Sequence, residues 1–344
     1  MSLLKLLKTK KKITCYTTPS HGQKFFITSK FANFYKYDIS ETDTHNPQET
    51  LIKAQKTASK IYGTKQTLFL TNGSTSGIIA SVLACTKKGD KVLIWNNAHI
   101  CHKNAVELAG AEPVYYSLNK ISEWGIYDKL TPEQTEEYLQ KNRVRALIVT
   151  SPSYEGVVSD VKKIKEICVK YGAYLIVDEA HGALYPFSEQ LPESAVNIAD
   201  FTVQSLHKTA GGLNPTALLH TNTDLSIEKA LEKINTTSPS YPLLMSIEKN
   251  INYLNSKKGR MKINELIENI HNLKNNCKNV EFFNGDITKI LIKKKGLSGL
   301  ELSEKLYHSS IEDEKTNDKS TMLLCGLGTS KSKLKRLEKI LKKI

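Results

Sequence analysis

A chain of 344 residues with 40% hydrophobic content can bury a sizeable core and form one large domain plus a smaller one, which excludes a disulfide miniprotein and a disordered tail. The net charge of +14 comes from 49 basic against 35 acidic residues, but much of the excess lies in lysine runs near the termini with no interleaved aromatic motif, so nucleic-acid binding is not expected. Six cysteines without a CxxC pair disfavour a zinc knuckle or a disulfide framework, and no apolar run reaches membrane-spanning length; the expectation is a cytoplasmic protein with reduced thiols, no leader and no membrane association.

In chain order, residues 47–62, "PQETLIKAQKTASKIY", open on a proline suited to a first helical turn and carry apolar residues at helical spacing. From there strand and helix alternate. "TLFLTNG" reads as a strand, "STSGIIASVLAC" as a helix, "KVLIW" as a strand, "HKNAVELAG" as a helix stopped by Gly110, and "EPVYYS" as a strand. "TPEQTEEYLQK" follows as a helix, "RALIVTSPS" as a strand, "DVKKIKEICVKYG" as a helix ended by Gly172, and "AYLIVDEAHG" as a strand. Such alternation predicts an α/β fold, a mainly parallel sheet sandwiched by helices, with ligands beyond the carboxyl ends of the strands.

After "TALLH" the texture changes to longer helical stretches and then to a small α+β pattern. In the closing "SKSKLKRLEKILKKI", Leu334, Leu337, Leu341 and Ile344 share one helical face, which predicts a helix docked on a small sheet rather than a membrane-surface helix. The expected division is an N-terminal segment 1–46, a large domain 47–256 and a small C-terminal domain 257–344.

Chemistry concentrates at the predicted strand ends. "TNGSTSG" places Ser74, Thr75 and Ser76 at a strand-to-helix turn, where free backbone N–H groups and the helix dipole favour a phosphate, although serine and threonine are also ordinary helix caps. "IVDEAHG" ends an apolar run with Asp178 and His181, and a carboxylate there can keep a pyridinium nitrogen protonated. "SLHKTAGG" supplies Lys208, whose amine could bond covalently to an aldehyde cofactor, with Ser205 and His207 in reach of the same phosphate. A phosphate turn, a strand-end aspartate and a strand-end lysine in that order are far more specific than any one alone. Together they make Lys208 best explained as the carrier of pyridoxal 5′-phosphate.

At these motifs the chain resembles the fold-type-I pyridoxal-phosphate enzymes, and among them the ornithine/lysine/arginine decarboxylase family. "TNGSTSG", "NNAHICHKNAVELAGAEPVYY", "TSPSYEGVVSDVKKI", "VDEAHGAL", "SLHKTAGGL" and "TSPSYPLLMSIE" look like that family's segments in the same order. The resemblance implies the fold-type-I transferase fold with a small α+β C-terminal domain, and decarboxylation of lysine, ornithine or arginine to an amine and carbon dioxide. It implies that His99 stacks on the cofactor ring, Asp178 partners the pyridine nitrogen, His181 is a further ring contact, and Ser205 and His207 flank the cofactor lysine Lys208. Ser74, Thr75 and Ser76 match the phosphate loop, and a homodimer is implied because sites of this fold form at a dimer interface. His99, Lys208 and Asp178 are the catalytic candidates.

Other readings remain beside this one: another lyase or an aminotransferase of the same fold, or a non-catalytic cofactor-binding homologue. His99, Cys101 and His102 could form a metal cluster, which crowding at a helix start and the lack of a carboxylate partner disfavour, so no metal is expected. Cys101 stands where the family often has serine, "TTPSHGQ" keeps only His21 and Gly22 of an N-terminal family element, and the family usually continues into another C-terminal region. Recognition of the far end of the substrate is therefore expected from the partner subunit or from segment 220–260.

Overall fold

The computed structural model describes residues 14–15, 47–237 and 239–344. His21, Gly22 and nearly all of the N-terminal segment lie outside the described residues. Helix α1 (Pro47–Tyr62) leads into seven strands and their crossover helices: β1 (Gln66–Leu70), α2 (Gly73–Cys85), β2 (Lys91–Trp95), α3 (Ile100–Leu108), β3 (Glu112–Tyr116), α4 (Pro132–Lys141), β4 (Ala146–Thr150), α5 (Val161–Lys170), β5 (Tyr174–Asp178), β6 (Phe201–Ser205) and β7 (Ala217–Thr221). These strands form one sheet in the order β1-β7-β6-β5-β4-β2-β3. β7 is antiparallel to both its neighbours, and the remaining pairs are parallel. This is the mainly parallel, helix-covered sheet that the alternation predicts.

Local chemistry explains the boundaries. α4 starts on a capping box in which Thr131 accepts from Gln134 N while the Gln134 side chain accepts from Thr131 N, and Pro132 fills its first turn. α5 is capped by Asp160 and stops before Gly172, whose φ of +68° an L side chain would resist. The strands are continuous apolar runs because both faces are covered: Ile148, Ile176 and Val203 pack into one cluster, and Val149, Leu175 and Val177 into another on the opposite face.

The C-terminal part contains α6 (Ile227–Leu231), α7 (Tyr241–Asn255), α8 (Lys257–Asn276), β8 (Lys289–Lys293), α9 (Gly299–His308), β9 (Thr321–Leu324) and α10 (Lys331–Leu341). β8 and β9 are the centre of a four-stranded antiparallel sheet edged by Glu281–Phe282 and Lys315–Thr316. α8 bridges two hydrophobic cores, giving Ile263 and Ile267 to one shared with Phe69 and Ile247, and Leu266, Ile270 and Leu273 to one built around β8 and β9. Leu334, Leu337 and Leu341 of α10 are buried in that small core, as the helical spacing predicts. Thr14–Cys15 pairs in parallel with Ile311–Glu312. No helix among the described residues is long and apolar enough to cross a membrane.

Candidate active site

Sheet register brings the strand ends together. Thr150 lies opposite Asp178, Asp178 opposite Val203, Ser205 opposite Ala217, and Ala217 opposite Leu70, so β1, β4, β5 and β6 all stop along one edge. A cavity of about 590 Å³ opens there, lined by Ser74, Thr75, His99, Asp178, His181, His207 and Lys208 among others. A larger cleft of about 860 Å³ sits at the amino ends of β2 and β4, lined by Lys91 and Arg145, and contains none of these groups. Position at the carboxyl edge and the chemistry of the lining, not size, identify the site.

The chain enters α2 through Gly73, with φ of +74° and its N–H donated to Pro215 O. This turn aims the helix N-terminus, with Ser74 and Thr75, at the cavity. Ser76 departs from the expectation for the phosphate loop: it is buried, its hydroxyl donates to Gly73 O, and it does not line the cavity. Ser205 also departs, being wholly buried at the end of β6 with Oγ unpartnered and away from the lining. Alternation of side chains along a strand puts the strand-terminal Ser205 on the core side.

Lys208 rides on a single π-helical turn, Leu206–Ala210, closed by Gly211 at φ of +84°. A Cβ on Gly212 would come within 2.6 Å of Thr216 Oγ1 and 2.9 Å of Leu206 Cβ, so the second glycine is required by close packing. Lys208 Nζ stands 3.1 Å from His181 Nε2. Burial lowers the lysine's pKa more than the nearby Asp178 carboxylate raises it, and this enlarges the fraction of neutral, nucleophilic amine. His181 is held well below its ordinary value by burial and by the charges of Lys208 and Lys289, so its ring is neutral. His207 pins its Nδ1 to Thr216 O at 3.0 Å, and burial lowers its pKa.

Asp178 is buried at 6% exposure yet ionised. Burial alone would raise its pKa, but the hydrogen bond and charge of His102, the charge of Lys208 and the Ala180 N–H outweigh it, and the net direction is down. His102 Nε2 lies 2.9 Å from Asp178 Oδ2, and Ala180 N donates to Oδ1 at 3.2 Å. His99 caps α3, its Nδ1 accepting from Cys101 N at 3.3 Å, and its ring borders the cavity.

A match to the model of the Orn/Lys/Arg decarboxylase major domain covers residues 8–293. The chain belongs to the Orn/Lys/Arg decarboxylase family. It is 31% identical over 339 residues to the uncharacterized protein YaaO of Bacillus subtilis (strain 168), covering 91% of this chain and 71% of that one. It is 32% identical over 212 residues to the arginine decarboxylase of the same organism, covering 60% of this chain and 43% of that one. The structure of the constitutive lysine decarboxylase of E. coli superposes with a TM-score of 0.78 at 18% identity, over 93% of this chain and 56% of that chain. The chain thus spans about half the length of the decarboxylases it matches, and the low structural identity carries the fold alone.

Several residues that line the cavity carry no signal in the local sequence motifs. The sequence offers His102 only as a metal candidate lacking a carboxylate, and the structure supplies that carboxylate in Asp178: the ligand atoms of Cys101, His102 and Asp178 lie within 4.8 Å of one another. His99 is not in the group, and the His102–Asp178 hydrogen bond already occupies two of its three members. Thr150, Trp95 and Tyr154 line the wall from strand ends and a loop, and Lys315 and Asn317 reach it from the small sheet. None of the described residues of segment 220–260 lines the cavity, contrary to the expectation that distal recognition could come from there.

Proposed function

We propose that this chain binds pyridoxal 5′-phosphate on Lys208 and decarboxylates a basic amino acid, giving an amine and carbon dioxide. The observation that carries the reading is one cavity into which an amine of lowered pKa, a buried ionised carboxylate and a helix N-terminus all open. The donor set fits this group. Ser74, Thr75 and the N-terminus of α2 suit a phosphate, and Asp178 suits a protonated ring nitrogen. Trp95 Nε1, Thr150 Oγ1 and His181 Nδ1, all on lining residues, are buried without a protein partner, as expected of a wall made to meet a polar ligand.

Bound there, the cofactor supplies an electron sink that lets a carboxylate on the adjacent carbon leave as carbon dioxide. The protein's own groups set its conditions. Asp178, oriented by His102 and Ala180, holds a proton on the ring nitrogen by charge. His99, whose ring borders the cavity, would pack against the cofactor and restrict how the substrate presents its carboxylate. Lys208 would provide the covalent anchor and a proton-transfer group beside Cα, with the neutral His181 ring 3.1 Å away to orient its amine. His207, lining the cavity beside Lys208, would contact the cofactor there, and the family membership supports a homodimer. The family membership supports the basic substrate class.

The test is product analysis after incubating the cofactor-loaded protein with a panel of amino acids. Amine and carbon dioxide from lysine, ornithine or arginine support the reading. A keto acid would instead identify an aminotransferase, and a loaded protein that turns over none of the three basic amino acids would overturn the proposal.

A further inference from the structure

We propose that Glu155, walled by the ring of Tyr154, is the subsite for the distal cation of the substrate, and that Lys315 occupies it as an internal stand-in for that cation. The inference rests on the basic-substrate reading and assigns that class a place in the cavity.

The cavity is lined by two carboxylates, Asp178 and Glu155. Asp178 is engaged at the floor by His102 and Ala180. Glu155 sits on the loop after β4, with its side chain 13% exposed. Its Oε1 accepts from Lys315 Nζ at 2.6 Å and its Oε2 from Ser153 Oγ at 3.3 Å. The same Lys315 ammonium lies 5.0 Å from the centre of the Tyr154 ring. One ammonium therefore meets a carboxylate and an aromatic face together, the combination that recognises amine ligands.

The placement suits a substrate anchored at Lys208. The Tyr154 ring lies 4.6 Å from the His181 ring, and His181 Nε2 is 3.1 Å from Lys208 Nζ, so the ammonium position is two side chains from the anchoring amine. Its walls are fixed. The Tyr154 hydroxyl donates to Glu314, and Gly156, at φ of +93°, accepts from Asp286 N at 2.8 Å through its carbonyl.

Lys315 is the movable member. It belongs to an edge strand of the small sheet, and its side chain is 49% exposed. Its flexible stem can carry the ammonium into water at little cost, whereas Glu155 cannot follow. A mostly buried carboxylate deprived of its cation demands another, so displacing Lys315 creates a site that selects a ligand cation and rejects a neutral or acidic side chain.

The experiment measures binding of 1,5-diaminopentane and of n-pentylamine to the purified, cofactor-loaded protein by calorimetry and by cofactor absorbance. The diamine should bind at least about tenfold more tightly than the monoamine. Glu155→Gln should abolish that preference while retaining monoamine binding, and the shorter Glu155→Asp should retain part of it. Lys315→Met, at an exposed position, should strengthen diamine binding because the competitor is gone. Equal binding of the two amines, a preference that survives in a folded Glu155→Gln protein, or weaker diamine binding by Lys315→Met would overturn the assignment; the last result would make Lys315 a partner of the substrate carboxylate. A diamine preference in a protein that decarboxylates no basic amino acid would leave this subsite standing and sink the decarboxylase reading, and the converse result would do the opposite.

Discussion

His102 Nε2 and Asp178 Oδ2 are 2.9 Å apart, both side chains almost wholly buried. Burial works against the aspartate's charge, and His102 is the main reason the charge persists. Because the folded state holds this carboxyl below its ordinary value, the stability it contributes is present above the unfolded pKa and is lost as pH falls through the folded one. With His102→Leu, burial should win and the direction should reverse. The acid limb of the pH–rate profile should then move up by about one unit or more, each unit being about 1.4 kcal/mol. Asp178→Asn should retain the cofactor, seen by its absorbance, and lose most turnover at every pH. Full activity in Asp178→Asn would show that the carboxylate has another task.

Lys208 is the expected site of covalent attachment. Borohydride treatment followed by peptide mass analysis should place a pyridoxyl group on that residue, and Lys208→Ala should lose both label and yellow colour. A label on Lys289 or Lys315 would refute the assignment.

Glu179 follows Asp178 in sequence but faces away from the cavity. Burial pushes its carboxyl up to about 7 despite bonds from Ala195 N, Ser194 Oγ and Gln204 Nε2. Here the folded state favours the protonated form, so the stabilising contribution is full below about pH 4.5 and is lost as pH rises towards about 7. The span corresponds to about 3 kcal/mol. The melting temperature should fall across that interval, and Glu179→Gln should flatten the slope. An unchanged slope would mean that Glu179 is already ionised in the folded protein at low pH.

Lys289 is fully buried, donating to Asp286 Oδ2 at 2.7 Å, Thr288 Oγ1 at 2.9 Å and His181 O at 2.8 Å. Lys289→Met leaves Asp286 buried without its cation and should cost about 3–5 kcal/mol, read as a lowered urea midpoint. Adding Asp286→Asn, which removes the stranded charge but keeps an acceptor for the Tyr185 hydroxyl, should recover a good part of the loss. No recovery in the double variant would place the cost in packing rather than in charge.

The sheet was legible because its strands are uninterrupted apolar runs punctuated by Gly110 and Gly172, and the strand-end residues Asp178 and Lys208 could be read because a polar group closing such a run has few structural uses. Ser76 and Ser205 misled for a physical reason: a motif names a stretch of chain, but α2 turns Ser76 back on Gly73 and the strand pleat turns Ser205 inwards. His102 carried a local signal, lying three residues after His99 at the start of a helix, but its partner is 76 positions away. Lys315 and Glu155 are 160 positions apart, and only the docking of the small sheet's edge against the loop after β4 brings them together. No local pattern encodes such a meeting.

The buried Lys289 also constrains how the molecule can move. It is anchored to the small sheet yet bonds to the carbonyl of His181, while Asp286 takes the Tyr185 hydroxyl and gives its N–H to Gly156 O. Pulling the lobes apart at this point would strip a charge of its partners in a dry interior, so the cross-link behaves as a fixed fulcrum. At the rim the Lys315 side chain is half exposed, so its ammonium can withdraw from the mostly buried Glu155 with little cost. Any opening stroke should therefore leave the Lys289 cross-link intact and break the Lys315–Glu155 contact first, coupling entry of the substrate's far end to release of that edge strand's lysine.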